Sequence, residues 1–166
     1  MIIRNEIESD IEAISAVTKA AFANHPHSNQ TEQFIIIALR ADNALTVSLV
    51  AEIEGKVIGH VAFSPVSISD GTHNWYGLGP VSVLPEHQKQ GIGKALINKR
   101  LSLLKKSGAK GCVLVGEPKY YERFGFRNSS GLILEGVPQE YFLALPFDND
   151  KAQGAVVFHH AFSAKE

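Results

Sequence analysis

The stretch from Val81 to Ala95 limits what this chain can fold into more than any other. A short apolar run, Val81-Ser82-Val83-Leu84, enters a polar turn, Pro85-Glu86-His87-Gln88-Lys89-Gln90. The turn closes on Gly91-Ile92-Gly93, and an amphipathic helix begins at once. The helix reads from about Gly93 to Ser107, with Ile92, Leu96, Ile97, Leu101 and Leu104 as its buried stripe. Lys105 and Lys106 suit its negative C-terminal end, and Gly108 stops it. Next comes Gly111-Cys112-Val113-Leu114-Val115, a fully apolar strand. Two strands joined by a helix crossover lie parallel and connect with right-handed sense. Glycines at a strand-to-helix junction also let backbone N–H groups converge on an anion at the positive end of the helix dipole. The stretch therefore predicts both a parallel strand–helix–strand unit and a phosphate cradle.

The remaining chain reads around that unit. Ile2-Ile3 forms a first strand, and Ser9 or Asp10 caps a helix over Ile11 to Phe22. A loop from Ala23 to Gln30 precedes a second helix, Thr31 to Arg40. Leu45 to Ile53 and Val57 to Ser67 are strands joined by a turn at Glu54-Gly55-Lys56. Trp75 to Val83 is a strand interrupted by Gly77 and Gly79-Pro80, a pattern that predicts a bulge or a splay. Lys119 to Phe124 is a short helix stopped by Gly125. A late hairpin, Tyr141 to Leu145 and Ala155 to Phe158, completes the reading. Antiparallel strands thus precede a parallel unit, which gives a mixed sheet with helices on both faces.

A chain of 166 residues suffices for one domain, 1–166, with a core of its own. A formal net charge of -1 argues against a nucleic-acid or anionic-membrane partner. Cys112, the single cysteine, leaves no intramolecular disulfide and fits a reducing compartment. Met1 to Glu6 turns polar at once, and no apolar run is long enough to cross a bilayer, so a cytoplasmic location is expected.

Gln88-x-x-Gly91-x-Gly93 after an apolar strand resembles the coenzyme A pyrophosphate loop of the GNAT N-acetyltransferase superfamily. Tyr120-Tyr121-Glu122-Arg123-Phe124-Gly125-Phe126 resembles the aromatic-Tyr-x-x-x-Gly-Phe segment that follows the next strand in that family. The wording Gly116-Glu117-Pro118-Lys119-Tyr120-Tyr121 is similar to the YhbS-like branch. The resemblance implies a mostly antiparallel mixed α/β sheet of about seven strands. It also implies acetyl-CoA as cosubstrate, with no metal. The acceptor would be an amine, on a small molecule or a protein, and a homodimer stays open.

By the same resemblance, the pantetheine arm lies along Val81 and Val83, and the Val83 N–H stabilises the oxyanion of the tetrahedral intermediate. Val81, Val83 and the run Gln88, Lys89, Gln90, Gly91, Ile92, Gly93, Lys94 and Ala95 would hold the cosubstrate. The pyrophosphate would take N–H groups from Gln88, Lys89, Gly91, Gly93, Lys94 and Ala95. Tyr121 matches the tyrosine that protonates the departing thiolate, and Tyr120 the packing aromatic. The acceptor would be walled by the Ala23–Gln30 loop, the second helix and the late hairpin.

The base departs from the better-known pattern, because the strand Trp75 to Val81 carries no acid. Glu117 is the nearest substitute, His73 and His60 are weaker ones, and a water relay stands level with them. The asparagine often found after the second parallel strand is absent, since Gly116-Glu117-Pro118 stands there. Elsewhere, Cys112 reads as a small buried hydrophobe. His25 and His27 read as mouth-lining or solvated, and His159-His160 lacks metal-site spacing. Two rival readings stay open. One is a non-catalytic acyl-CoA sensor or interaction module; the other is a nucleotide-binding protein using the same cradle.

Overall fold

The computed structural model describes residues 1–26, 28–147 and 151–166. The sheet has nine strands among these residues: β1 (Ile2–Asn5), β2 (Val47–Ile53), β3 (Lys56–Ile68), β4 (Trp75–Val83), β5 (Gly111–Val115), β6 (Arg127–Asn128), β7 (Leu132–Ile133), β8 (Phe142–Pro146) and β9 (Gly154–Phe158). Their order is β1-β2-β3-β4-β5-β8-β6, with β9 paired to the far end of β3 and β7 to β9. The two strands beyond the expected seven are β6 and β7. Each is a two-residue bridge, too short to carry a period-2 pattern. The late strands do not form the expected hairpin. β8 pairs antiparallel with β5 and β6, while β9 pairs with β3 and β7.

Helices α1 (Ile11–Phe22), α2 (Glu32–Ala41) and α3 (Ile92–Lys106) cover the sheet, and α4 (Pro118–Tyr121) is a single turn after β5. Strand alternation sends odd and even residues of β3 to opposite faces. Gly59 lies under α3; a β-carbon there would stand 3.2 Å from Ile92 and from Leu96. Ile92, Leu96, Ile97, Leu101 and Leu104 are all buried against that face, as their spacing predicts. His60 points to the other face. There Ser48 Oγ lies 2.6 Å from its Nε2 and also bonds Glu6, which Arg40 of α2 grips at 3.0 Å.

The turn between β2 and β3 has left-handed backbone at both Glu54 (φ 50°) and Gly55 (φ 78°). That is the twist that suits a tight hairpin. Asp10 closes the entry to α1: it accepts the Ile7 N–H at 2.8 Å and pairs with Arg4 of β1 at 2.7 Å. Among the described residues no helix is long and apolar enough to cross a membrane.

Candidate active site

β4 is where the site begins. It runs parallel to β5 through Trp75↔Gly111, Tyr76↔Cys112 and Gly77↔Val113, and pairs no further. On its other side a register shift falls between Val61 and Phe63 of β3, opposite the β4 stretch that holds Gly79 and Pro80. The expected interruption is thus a bulge, and past it the two parallel strands part. The phase of the β3–β4 ladder decides which groups the gap receives. Leu84 N–H donates to Ile58 O at 2.9 Å, so the Leu84/Ile58 and Ser82/His60 pairs are the hydrogen-bonded ones. Val81 and Val83 occupy the alternate positions, and their N–H and C=O groups point away from β3 into the gap. Gln88 Nε2 donates to Val83 O at 3.0 Å, which occupies the carbonyl and leaves the Val83 N–H.

The turn after β4 meets the first turn of α3. Lys89 (φ 65°) and Gly91 (φ 83°) are left-handed, and Gly91 caps the helix with open space where a side chain would stand. Among the described residues, the N–H groups of Lys89 to Lys94 have no protein acceptor. Orphan N–H groups at a helix start, with the dipole behind them, make an anion site. The cradle is narrower than the sequence reading. Ala95 N–H is spent on Gly91 O at 3.0 Å, and Ala95 does not line the cleft. Gln88 N–H leans on Pro85 O at 3.3 Å, and Gln90 turns its amide to Glu86 O, outside the cleft.

Cradle and gap open into one cleft of about 1180 Å³. It gathers Val81, Val83, Gln88, Lys89, Gly91, Ile92, Gly93, Lys94, Glu117, Tyr120 and Tyr121 from the expected set. Tyr121 lies against Gly116, where any side chain would run into its ring, and stacks edge-on with Tyr120 at 4.9 Å and Phe126 at 6.2 Å. Burial, with the neighbouring Tyr120, pushes the Tyr121 phenol up to about 12, so it keeps its proton at any working pH. Tyr120 turns its hydroxyl toward Gly93; a β-carbon there would lie 3.6 Å away. Arg123 covers the Tyr120 ring at 4.5 Å. Glu117 is exposed at the N-terminal end of α4.

The opposite wall is made by the end of α1 (Ala21, Phe22), His25, and Glu32 and Ile35 of α2. Pro138 and Tyr141 before β8 and Phe162 of the C-terminal turn complete it. The expected loop, second helix and late strand thus each contribute, through His25, Glu32 with Ile35, and Tyr141, whereas Phe162 escapes a reading of the sequence because nothing local marks a residue that meets the cleft only through tertiary packing. His27 lies outside the described residues. His87 lines the cleft beside Gln88, whereas His60, His73, His159 and His160 do not. His60 is fully buried, and burial, opposed by nearby Glu6, pushes it down to about 4. His159 and His160 converge on Asp42 at 2.9 and 3.5 Å. His159 Nδ1 accepts the Ala161 N–H at 3.0 Å, so its Nε2 offers Asp42 a proton and not a lone pair for a metal.

Comparison with known proteins places this geometry. Residues 11–126 match the Acetyltransferase (GNAT) family. The uncharacterized N-acetyltransferase YhbS of Escherichia coli K12 is 37% identical over 127 residues, 76% of this chain and 73% of that protein. A crystal structure of a GNAT family acetyltransferase from Brucella melitensis in complex with acetyl-CoA is 50% identical, with a TM-score of 0.87 over 97% of both chains. The crystal structure of Escherichia coli YhbS in complex with CoA is 31% identical, with a TM-score of 0.89 over 99% of this chain and 93% of that one.

Proposed function

This chain belongs to the GNAT acetyltransferase family, and from that premise we propose that it transfers the acetyl group of acetyl-CoA directly to a primary amine. The observation that carries the reading is the parting of β4 from β5. It leaves the Val81 and Val83 N–H groups facing a cleft that continues into the unpaired N–H groups of Lys89 to Lys94. The pyrophosphate fits the α3 cradle, with Lys89 and Lys94 adding charge. The pantetheine fits the gap as a strand beside β4, pairing with backbone that β5 has vacated.

Chemistry follows from where charge develops. The neutral amine attacks the thioester carbonyl carbon, and the C=O electron pair moves onto oxygen. The Val83 N–H, with Val81 beside it, is aimed into the gap to receive that oxyanion; one such donor is commonly worth roughly 10²–10³ in rate. Collapse breaks the C–S bond, and the thiolate takes the Tyr121 proton, which burial keeps in place. The proton released by the new amide nitrogen goes to Glu117 or to water, and the Tyr121 phenolate regains a proton from solvent as the products leave. Retention of a protonated phenol beside the gap favours a transferase over an acyl-CoA sensor. Tyr120, whose hydroxyl approaches α3, packs the cradle and Tyr121.

We place the protein in the cytoplasm, where its one cysteine, buried in β5, suits reducing conditions, and we treat residues 1–166 as one catalytic domain. Calorimetry tests the donor site. Acetyl-CoA should bind with one-to-one stoichiometry and release heat, and ATP or NAD should not compete. Failure of acetyl-CoA to bind, or displacement of it by ATP or NAD, would overturn the reading.

A further inference from the structure

The cleft is electrically divided. Lys89, Lys94 and Arg123 line it on the side of α3 and α4, where Glu117 also stands, and the opposite wall carries one carboxylate, Glu32. Glu32 and Ile35 are one turn apart on α2 and both face the cleft, so this carboxylate interrupts an otherwise apolar face. The same wall carries Ala21, Phe22, Ile35 and Phe162, with His25 beside Phe22 and with Phe158 stacked edge-on behind Phe162 at 5.1 Å. A place in the first turn of a helix suits an acid on dipole grounds alone. That does not explain why the acid faces the cavity, nor why the preceding loop is built to hold it. Ser28 Oγ donates to Glu32 Oε1 at 2.6 Å. The Gln30 N–H, at 2.8 Å, occupies a lone pair of Ser28 Oγ and so aims its proton at Glu32. Gln30 in turn is anchored by its side chain to Ala23 O at 2.7 Å. One carboxylate oxygen is thereby fixed, and the other has no partner among the described residues. Among the described residues no cationic side chain forms an ion pair with Glu32.

Resting on the transferase reading above, we propose that the acceptor is a dication. Its body is an apolar chain with an amine to be acetylated at one end and a second cationic group held by Glu32 at the other. Ala21, Phe22, Ile35 and Phe162 suit a run of methylenes. A half-buried, unpaired carboxylate among them rewards a positive charge and penalises a negative one, so carboxylate-bearing amines are excluded.

Titration calorimetry on the CoA-loaded protein tests this. The probes are α,ω-diamines from putrescine to octamethylenediamine, the monoamines of equal length, and δ-aminovalerate. At least one diamine should bind roughly tenfold tighter than its monoamine, the size expected of a charge-assisted hydrogen bond, and δ-aminovalerate should bind weakest. Glu32→Gln should erase the diamine advantage while CoA affinity stays unchanged. Glu32→Lys should move the preference toward δ-aminovalerate. Equal affinity of every diamine and its monoamine, or an unchanged advantage in Glu32→Gln, overturns the proposal. The same amines offered with acetyl-CoA separate the two readings. Diamines that bind through Glu32 yet are never acetylated overturn the transferase alone, and acetylation with equal KM for mono- and diamines overturns the dication alone.

Discussion

Single residues in the cleft take their chemistry from their surroundings. Tyr121 and Tyr120 are adjacent phenols in one cleft, and the structure separates them. The first is held against Gly116 with its proton locked on by burial; the second leans its hydroxyl over the first turn of α3. Tyr121→Phe should lower kcat by roughly 10²-fold or more with little change in acetyl-CoA affinity, whereas Tyr120→Phe should leave kcat within a few-fold. Steady-state kinetics of the two variants checks the assignment, and equal losses would show that neither phenol is the specific acid. Because the Tyr121 phenol lies near 12, the alkaline limb of the rate profile should not fall from its ionisation below about pH 11. Gly91, left-handed at φ 83°, faces open space. Gly91→Asp puts a negative charge where the pyrophosphate should sit, so calorimetry should lose CoA binding while circular dichroism stays native; unchanged affinity would remove the cradle assignment.

Secondary elements show how much the sequence could say. The strand–glycine turn–helix of β4 and α3 was legible because three local signals agree: an apolar run, glycines with positive φ demands, and a 3.6-residue stripe. Gly79-Pro80 announced the break in β4 for the same local reason. The pairing of β8 with β5 instead of β9 was not legible, because partner choice between late strands is decided by distant packing. The two-residue β6 and β7 carry no periodicity at all. Likewise the second helix was expected as a wall, but which of its side chains enters the cleft, Glu32 and Ile35, is set by packing, and Phe162 joins the cleft only through the fold. The most exacting contact between elements is α3 on β3 at Gly59. Gly59→Val should set branches against Ile92, Leu96 and the Ser82 carbonyl, lifting the start of α3 and costing about 1–3 kcal/mol. Urea unfolding should show a lower midpoint, with CoA affinity reduced because the cradle rides on that helix. A midpoint matching the wild type would mean that α3 adjusts without loss.

For the whole molecule, the chain of groups Arg40–Glu6–Ser48–His60 ties α2, the exit from β1, β2 and β3 together, and it makes stability depend on pH. His60 is neutral in the fold, held near 4 by burial against an ordinary 6.5. Glu6 is held below the usual carboxylate range, since the Arg40 guanidinium and the Ser48 hydroxyl outweigh the effect of its burial. Between pH 6.5 and 4 the unfolded chain binds a proton at this histidine that the fold refuses, so stability is full above 6.5 and is lost as pH falls through that window. The loss is on the order of 3 kcal/mol. Thermal unfolding followed from pH 7.5 to 4.5 should show Tm falling with acid, and the His60 ring resonances should not titrate above pH 5; a His60 that titrates near 6.5 would contradict its burial. These features serve one claim, that the gap between β4 and β5 holds a thioester for attack by an amine. The most direct test is release of free CoA thiol from acetyl-CoA, measured with and without a panel of amines and paired with mass analysis of the amine. Release should depend on the amine, with one acetyl group gained per thiol freed and near-complete loss of both in Tyr121→Phe. Tight binding of acetyl-CoA with no amine-dependent release across the panel would contradict it.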